Sequence, residues 1–174
     1  MDSQIFLAPA SRSTSDNRAF LHLQRTVLDG LPAESFSEDF ELVGREPVRV
    51  WGLKSSVKSE WNLVNSGDWF LFYTDSNAYE YAAKVIDTEF NPDRGDKIRE
   101  EFLDLHENEL DSNWDCLVYF DDSVNIDVSG GEVADIFGYG NDYPVRFIRV
   151  TSDRIVGIEN EFGGISEFID FLKS

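Results

Sequence analysis

The sequence NSGDWFLFYT, residues 65–74, decides the fold of this chain. Asn65 to Asp68 are turn-forming residues, and the apolar and aromatic run after them is typical of a strand buried on both faces. After a second turn at Ser76 and Asn77, the sequence YEYAAKVID at residues 79–87 supplies an antiparallel partner strand. Together the two stretches predict the centre of a β-sheet.

Further strands are predicted on both sides of this pair, at residues 5–8, 48–53, 116–120, 124–128 and 145–150. The strands at 116–120 and 124–128 are predicted to form a hairpin across Asp121, Asp122 and Ser123. Helices are predicted in the connections, at residues 17–28, 96–110, 130–137 and 166–172. Five to seven short strands with small peripheral helices indicate an α+β fold, a mixed and closed or nearly closed β-barrel. A doubly wound parallel sheet fits poorly, because its Gly-rich fingerprint is missing.

The composition describes a folded chain. Its 174 residues are 41% hydrophobic and 14% aromatic, which is too apolar for an acidic disordered tail. No apolar run reaches the ~18–20 residues of a membrane span, and the first residues lack the basic and apolar regions of a signal peptide. Cys116 is the single cysteine, so no internal disulfide forms, which fits a reducing compartment. We therefore expect a cytoplasmic protein with no membrane partner.

The chain is strongly acidic, with a formal net charge of −19. Asp outnumbers Glu by 19 to 15, and Arg outnumbers Lys by 10 to 5. This bias resembles proteins of extreme halophiles, in which molar salt screens self-repulsion. The acidity is concentrated in residues 65–142, which carry 20 acidic and 4 basic side chains. Because both ends are nearly neutral, a folded chain can either gather its basic residues on one face or scatter them over its surface.

The sequence supplies no pattern of catalytic residues. It contains two histidines, His22 and His106, and no phosphate-binding loop, nucleophile elbow or zinc-protease motif. No Asp or Glu is followed two residues later by Lys, as a common type of restriction nuclease would require. We therefore expect no catalytic residues, no metal site and no cofactor. Two alternatives stay open, namely an acidic interaction protein that mimics DNA and a Mg²⁺-dependent nuclease.

Aromatic residues in polar loops are the strongest functional signal. Trp51 ends a predicted strand and is followed by Gly52 and a polar stretch, and Trp61 lies in the same connection. Tyr139 and Tyr143 lie in a loop rich in Gly, Asn and Asp. Aromatic side chains in such positions are suited to stacking on bases. Basic residues lie beside them in the sequence, namely Lys54, Lys58, Arg146 and Arg149.

The order of these motifs resembles the EVE and YTH-like branch of the PUA-like superfamily. The similarity rests on VRVWGL (48–53), Trp61, the stretch from Gly67 to Tyr73 and YEYAAKV (79–85). SNWDCLVYFDDSVNIDV (112–128) and GYGNDYPVRFIRV (138–150) resemble the second half of the same barrel. The resemblance implies a PUA-like barrel domain over residues 47–174, preceded by a strand and helix lead-in over residues 1–46.

The resemblance also implies a function. Members of this branch accept a base flipped out of nucleic acid and read a modification such as a methyl group in an aromatic cage. By position, Trp51 matches a cage aromatic, Ser55 and Ser56 match the polar stretch that lines the pocket, and Trp61 falls in the connection facing it. A further cage aromatic is expected within 91–114, where the candidates are Phe102 and Trp114. We therefore predict a non-catalytic module that binds DNA or RNA and reads a modified, methylated base in an aromatic pocket formed by Trp51, Ser55, Ser56, Trp61, Tyr139 and Tyr143. The resemblance also places Arg146 and Arg149 in a region that meets phosphate, and the residues predicted to contact the nucleic-acid backbone are Lys54, Lys58, Arg146 and Arg149.

Overall fold

The computed structural model describes residues 3–10, 18–33, 46–75, 77–102, 114–144 and 146–173. Six strands form one mixed sheet in the order β2-β5-β4-β3-β1-β6. The strands are β1 (Ile5–Pro9), β2 (Arg49–Leu53), β3 (Trp69–Asp75), β4 (Ala78–Phe90), β5 (Cys116–Ser129) and β6 (Ile148–Arg149). The helices are α1 (Arg18–Leu23), α2 (Lys58–Trp61), α3 (Pro92–Phe102), α4 (Gly130–Phe137), α5 (Ser152–Phe162) and α6 (Ile165–Leu172). The predicted strand number and the α+β class are confirmed.

The turn at Gly67 and Asp68 sets the register of the central strands. Gly67 has φ +96°, a conformation that glycine adopts without strain. Asp68 is buried, and its carboxylate accepts hydrogen bonds from the backbone N–H and the side-chain amide of Gln4, both at 2.9 Å. This pairing fixes the start of β1 beside the start of β3, so that Ile5 lies opposite Trp69 in a parallel ladder. The β3–β4 ladder is antiparallel, as predicted.

The chain divides into two compact units, each built from separate stretches. The first unit comprises Met1–Phe20, Gly67–Lys84 and Ser123–Ser174, and the second comprises Leu21–Ser66 and Val85–Asp122. In the first unit, apolar side chains of β1, β3 and β4 pack with those of the end of β5 and of helices α4, α5 and α6. In the second unit, β2 pairs antiparallel with the first part of β5 from Arg49–Phe120 to Leu53–Cys116.

The structure differs from the sequence prediction at one predicted hairpin and at one helix that was not predicted. The hairpin across Asp121–Ser123 is wrong, because β5 continues unbroken from Cys116 to Ser129. A tight hairpin needs positive φ angles, and none of these residues has one. The sequence interpretation also omitted α5, whose apolar pattern is interrupted by Gly157. Of the predicted helix at 96–110, residues 92–102 are helical, and 103–110 lie outside the described residues.

Candidate functional site

A cavity of about 320 Å³ lies in the first unit. Its inner wall is formed by buried side chains, Leu7 of β1, Tyr79 of β4 and Val133 of α4. The rest of the wall comes mainly from the segment that follows α4, which contributes Tyr139, Asn141, Tyr143 and Arg146. Asn141, Tyr143 and Arg146 are exposed. The cavity therefore combines an apolar interior with an aromatic and polar mouth, which is typical of small-molecule binding sites.

The loop at the mouth begins where α4 ends. Gly138 caps the helix in the left-handed conformation with φ +75°. The Tyr139 N–H then donates to the Ala134 carbonyl at 2.8 Å, which turns the Tyr139 side chain into the cavity wall. At the other end of the helix, the Ser129 hydroxyl accepts from the Glu132 N–H at 3.1 Å and caps its first turn.

Gly130 anchors the far end of the loop. A Cβ at this position would lie 1.9 Å from the Asp142 carbonyl oxygen and 2.7 Å from the Asn77 amide oxygen. The Gly130 N–H donates to the Asn77 carbonyl at 2.7 Å. The loop therefore rests directly on the Gly130 backbone, and only glycine leaves room for it.

Rings pack behind and around the cavity. The Tyr73 ring lies 5.3 Å from that of Tyr79, edge to face, and 6.2 Å from that of Tyr143. The Arg154 guanidinium lies 4.3 Å from the centre of the Tyr139 ring and donates to the Phe137 carbonyl. Tyr143 remains 55% exposed. One tyrosine at the mouth is thus held by a cation–π contact, while the other presents its ring to solvent.

The hydroxyls of Tyr79 and Tyr139 are held in their neutral form. Burial raises the pKa of Tyr79 well above its ordinary value, and the neighbouring Tyr73 and Tyr139 raise it further. Burial also raises the pKa of Tyr139, against the opposing effect of Arg154. Neutral hydroxyls both donate and accept hydrogen bonds, so these side chains are able to bind a polar ring edge.

Trp51 lies in the second unit and is packed against the protein's own rings. It is 7% exposed, and its indole ring lies 5.7 Å from that of Trp114, which is 8% exposed. The Trp114 ring also packs against His22 and lies directly on Gly52, where a Cβ would approach it to 1.9 Å. Trp51 and Trp114, two of the candidate cage aromatics that the resemblance implies, therefore lie together, and their rings pack against each other.

Trp61 is likewise buried in the second unit. It is 8% exposed, its Nε1–H donates to the Leu117 carbonyl at 3.2 Å, and its ring lies 6.2 Å from that of Phe90. The Lys58 ammonium lies 4.0 Å from the centre of the Phe90 ring. These contacts give Trp61 a packing role.

The other site residues predicted from the sequence do not lie together in the structure. Lys54, Ser55 and Ser56 are exposed, and the Ser55 hydroxyl donates to the Asp115 carboxylate. Arg149 is half-buried and donates to the Gln4 side-chain oxygen at 3.3 Å. Among the predicted site residues, Tyr139, Tyr143 and Arg146 line the one cavity described above.

The sequence interpretation missed three residues of this site. Tyr79 was assigned only to a strand. Simple alternation would place it on the same face as Tyr81, but a register shift in the β3–β4 ladder pairs Tyr79 with Tyr73 and Tyr81 with Phe72, so the two tyrosines face opposite ways. Asn141 lies in the loop that was singled out, but its amide was not considered. Arg154 carries no local signal, because its contact with Tyr139 depends on the packing of α5.

Comparison with solved structures identifies the fold. The chain is similar to the N-terminal domain of McrB from Thermococcus gammatolerans bound to m5C DNA, with a TM-score of 0.70 and 17% identity over 96% of this chain and 99% of that one. The fold is PUA-like. The search of solved structures also found the Mmi1 YTH domain complex with RNA (TM-score 0.48, 11% identity, covering 99% of this chain and 84% of that one). It found as well the ASCH protein from Zymomonas mobilis (TM-score 0.48, 6% identity, covering 90% and 94%). No protein-family model and no curated protein sequence matches the chain.

In the part of the chain that the structure describes, none of the helices has the length and apolar character needed to cross a membrane. Among these residues, no three His, Cys, Asp or Glu side chains are grouped in a way that would hold a metal ion. Burial, and then the nearby Asp115, raise the pKa of the buried Cys116 thiol, which disfavours the reactive thiolate.

Proposed function

We propose that this chain is a nucleic-acid-binding module that accepts an extruded base in the cavity bounded by Tyr79, Tyr139 and Tyr143. The observation that carries the proposal is the composition of this cavity. It combines aromatic rings, an exposed amide (Asn141) and an exposed guanidinium (Arg146) around an apolar interior of about 320 Å³. Ligand pockets in proteins start at about this volume.

Each part of the cavity corresponds to one part of a nucleotide. Tyrosine rings stack on bases of any identity, with about 1–3 kcal/mol per base. An Asn amide both donates and accepts, so Asn141 is able to pair with the polar edge of a base. A guanidinium at the mouth is suited to a phosphate oxygen, which is the role proposed for Arg146. The similarity in fold to a domain bound to m5C DNA supports this choice of ligand.

The interior of the cavity favours a methylated base. Leu7, Val133, Ala134 and Ile148 contribute apolar lining. A methyl group on a base is recognised by apolar contact, as the thymine methyl is in DNA. We therefore propose that the module prefers a base carrying an added methyl group, and that it reads the modification without catalysing a reaction on it.

The charge of the chain favours a stacking mechanism. A net charge of −19 repels nucleic acid, and molar salt screens this repulsion. The same salt weakens phosphate contacts, since log K falls by about 0.9 per contact for each tenfold rise in salt. Stacking in a cavity depends little on ionic strength. We expect binding to persist in molar KCl, as an adaptation to high salt would require.

Fluorescence anisotropy with labelled DNA and RNA, carrying or lacking 5-methylcytosine or N6-methyladenine, tests the proposal in molar KCl. Tyr139→Ala is expected to weaken binding by about 5- to 150-fold, which corresponds to the loss of one stacking partner. Tyr81→Ala is the matched control, because Tyr81 lies on β4 with its ring against Phe20 and outside the cavity lining. Equal loss in both variants, or binding to none of the oligonucleotides, would overturn the proposal.

The same experiment separates the rival interpretations. If Trp51→Phe abolishes binding while Tyr139→Ala leaves it intact, the base binds at the Trp51–Trp114 pair and the cavity assignment is wrong. Cleavage of the oligonucleotide in Mg²⁺ would instead establish a nuclease. If no oligonucleotide binds and the chain instead binds saturably to a basic DNA-binding enzyme, the chain is a DNA mimic.

A further inference from the structure

Tyr79 brings a phenol side chain into the lining of the cavity. The residue is 1% exposed and belongs to the cavity lining. The Tyr79 ring packs edge to face on Tyr73 within the apolar core of the first unit, and no side-chain hydrogen bond of its hydroxyl is found among the described residues. Buried polar groups are nearly always paired, and a buried tyrosine usually finds a partner for its hydroxyl. This hydroxyl is therefore positioned to bind a polar group of a ligand.

The cavity is larger than one aromatic ring requires. An apolar cavity of ~150 Å³ is enough to bind benzene, and this cavity has about 320 Å³. A pentose therefore fits beside a base. The polar residues lie at two ends, with Tyr79 inside and Asn141 and Arg146 exposed at the mouth.

We propose that the complete ligand of the cavity is a single nucleotide, so that a free 5′-mononucleotide binds without a polymer. The Tyr79 hydroxyl bonds to a polar atom of the base, Tyr139 stacks on the ring, and Arg146 meets the phosphate. This inference rests on the proposed function for the identity of the ligand, since it concerns the same cavity. It extends that function by making Tyr79 a specificity-determining residue and by removing the need for contacts to neighbouring nucleotides.

Arg146 is able to meet a phosphate in addition to its contacts within the protein. A guanidinium has five N–H donors in a planar fork. The side chain is exposed and lies on the cavity wall. Phosphate oxygens accept paired hydrogen bonds from such a fork. The charge of the ligand is thus met at the mouth, where it remains partly hydrated.

Isothermal titration calorimetry in molar KCl tests the inference with four probes, CMP, 5-methyl-CMP, AMP and ribose 5-phosphate. The full chain is expected to bind at least one nucleotide with 1:1 stoichiometry and not to bind ribose 5-phosphate, which lacks the base. Tyr79→Phe is expected to weaken nucleotide binding by about 3- to 10-fold, the effect of one hydrogen bond. Arg146→Gln is expected to weaken nucleotide binding and to leave binding of the corresponding uncharged nucleoside unchanged.

Two controls separate the loss of a ligand contact from a loss of folding. Tyr79→Phe removes only the hydroxyl, so its melting temperature should match that of the wild type, and Tyr81→Phe should bind like the wild type. If oligonucleotides bind in a Tyr139-dependent manner while no mononucleotide binds or competes, this inference fails and the proposed function stands. If mononucleotides bind and oligonucleotides do not, the inference stands and the proposed function fails. Equal affinity of Tyr79→Phe and the wild type would overturn the assignment of Tyr79.

Discussion

The Arg154 guanidinium lies 4.3 Å from the centre of the Tyr139 ring and bonds to the Phe137 carbonyl, so one side chain of α5 holds both the end of α4 and a wall of the cavity. Neither contact is local in sequence. Tyr139 owes its position to a helix that begins 13 residues later in the chain.

Replacing Arg154 is therefore expected to reduce ligand binding, although Arg154 is not among the residues that line the cavity. Arg154→Met removes the cation–π contact and the donor to Phe137, which frees the Tyr139 ring and should weaken oligonucleotide binding by about 3- to 10-fold. Arg154→Lys keeps the charge and should recover part of that loss. Anisotropy and thermal melting measure both effects. A variant that loses stability but binds like the wild type would show that Arg154 has only a structural role.

Gly130 and Gly131 form a matched pair of substitutions at the start of α4. Gly130→Ala places a Cβ 1.9 Å from the Asp142 carbonyl oxygen, so the loop must move. We expect a stability loss of about 1–3 kcal/mol, as for other overpacked sites, and loss of ligand binding. Gly131→Ala meets nothing closer than 3.9 Å and should leave binding unchanged. Urea unfolding and anisotropy provide the comparison, and equal behaviour of the two variants would contradict this account of the loop.

The Trp51–Trp114 pair is expected to contribute to stability. Gly52→Ala would drive a methyl group into the Trp114 ring, at 1.9 Å from its nearest atom, and should destabilise the chain by at least about 1–3 kcal/mol. Gly157→Ala, in α5 with open space around it, should instead be neutral or stabilising by up to about 1 kcal/mol. Denaturant unfolding measures the free energy of unfolding of both variants. Nucleotide affinity, measured where Gly52→Ala is still folded, should not change.

Alkaline pH is expected to destabilise the fold through its buried tyrosines. Burial raises the pKa of Tyr79, and burial together with Glu89 raises the pKa of Tyr119. Because the folded state binds these protons more tightly than the unfolded state, the stabilisation is complete below about pH 10, the ordinary tyrosine pKa, and is lost as the pH rises further. Tyr79→Phe should flatten the fall in unfolding free energy above about pH 10. An unchanged pH profile would contradict the burial of this hydroxyl.

The sequence predicts the central sheet well, because short-range signals define it. The turn at Gly67 and Asp68 and the apolar run after it indicate β3, and the positive φ of Gly67 and the contacts of Asp68 with Gln4 explain why these residues stand there. The polar residues Asp121–Ser123 misled the interpretation, since exposed positions of a long strand carry the same residue types as a turn.

The site is harder to predict for a physical reason. A tryptophan beside a polar loop looks the same in sequence whether its ring is open to a ligand or covered by another ring. Trp114, 63 residues away, covers Trp51, and only the folded structure shows that contact. The loop of Tyr139 and Tyr143 is rich in Gly and Asn and therefore unsuited to core packing, which is why the sequence points to these two residues of the cavity lining.

Photocrosslinking tests the position of the bound base most directly. An oligonucleotide carrying a single 5-iodopyrimidine is irradiated with the full chain in molar KCl, and the modified peptide is identified by mass spectrometry. This account predicts an adduct on Tyr79, Tyr139 or Tyr143, suppressed by an excess of competing unlabelled oligonucleotide. An adduct on Trp51 or Trp114, with the three tyrosines unmodified, would contradict it.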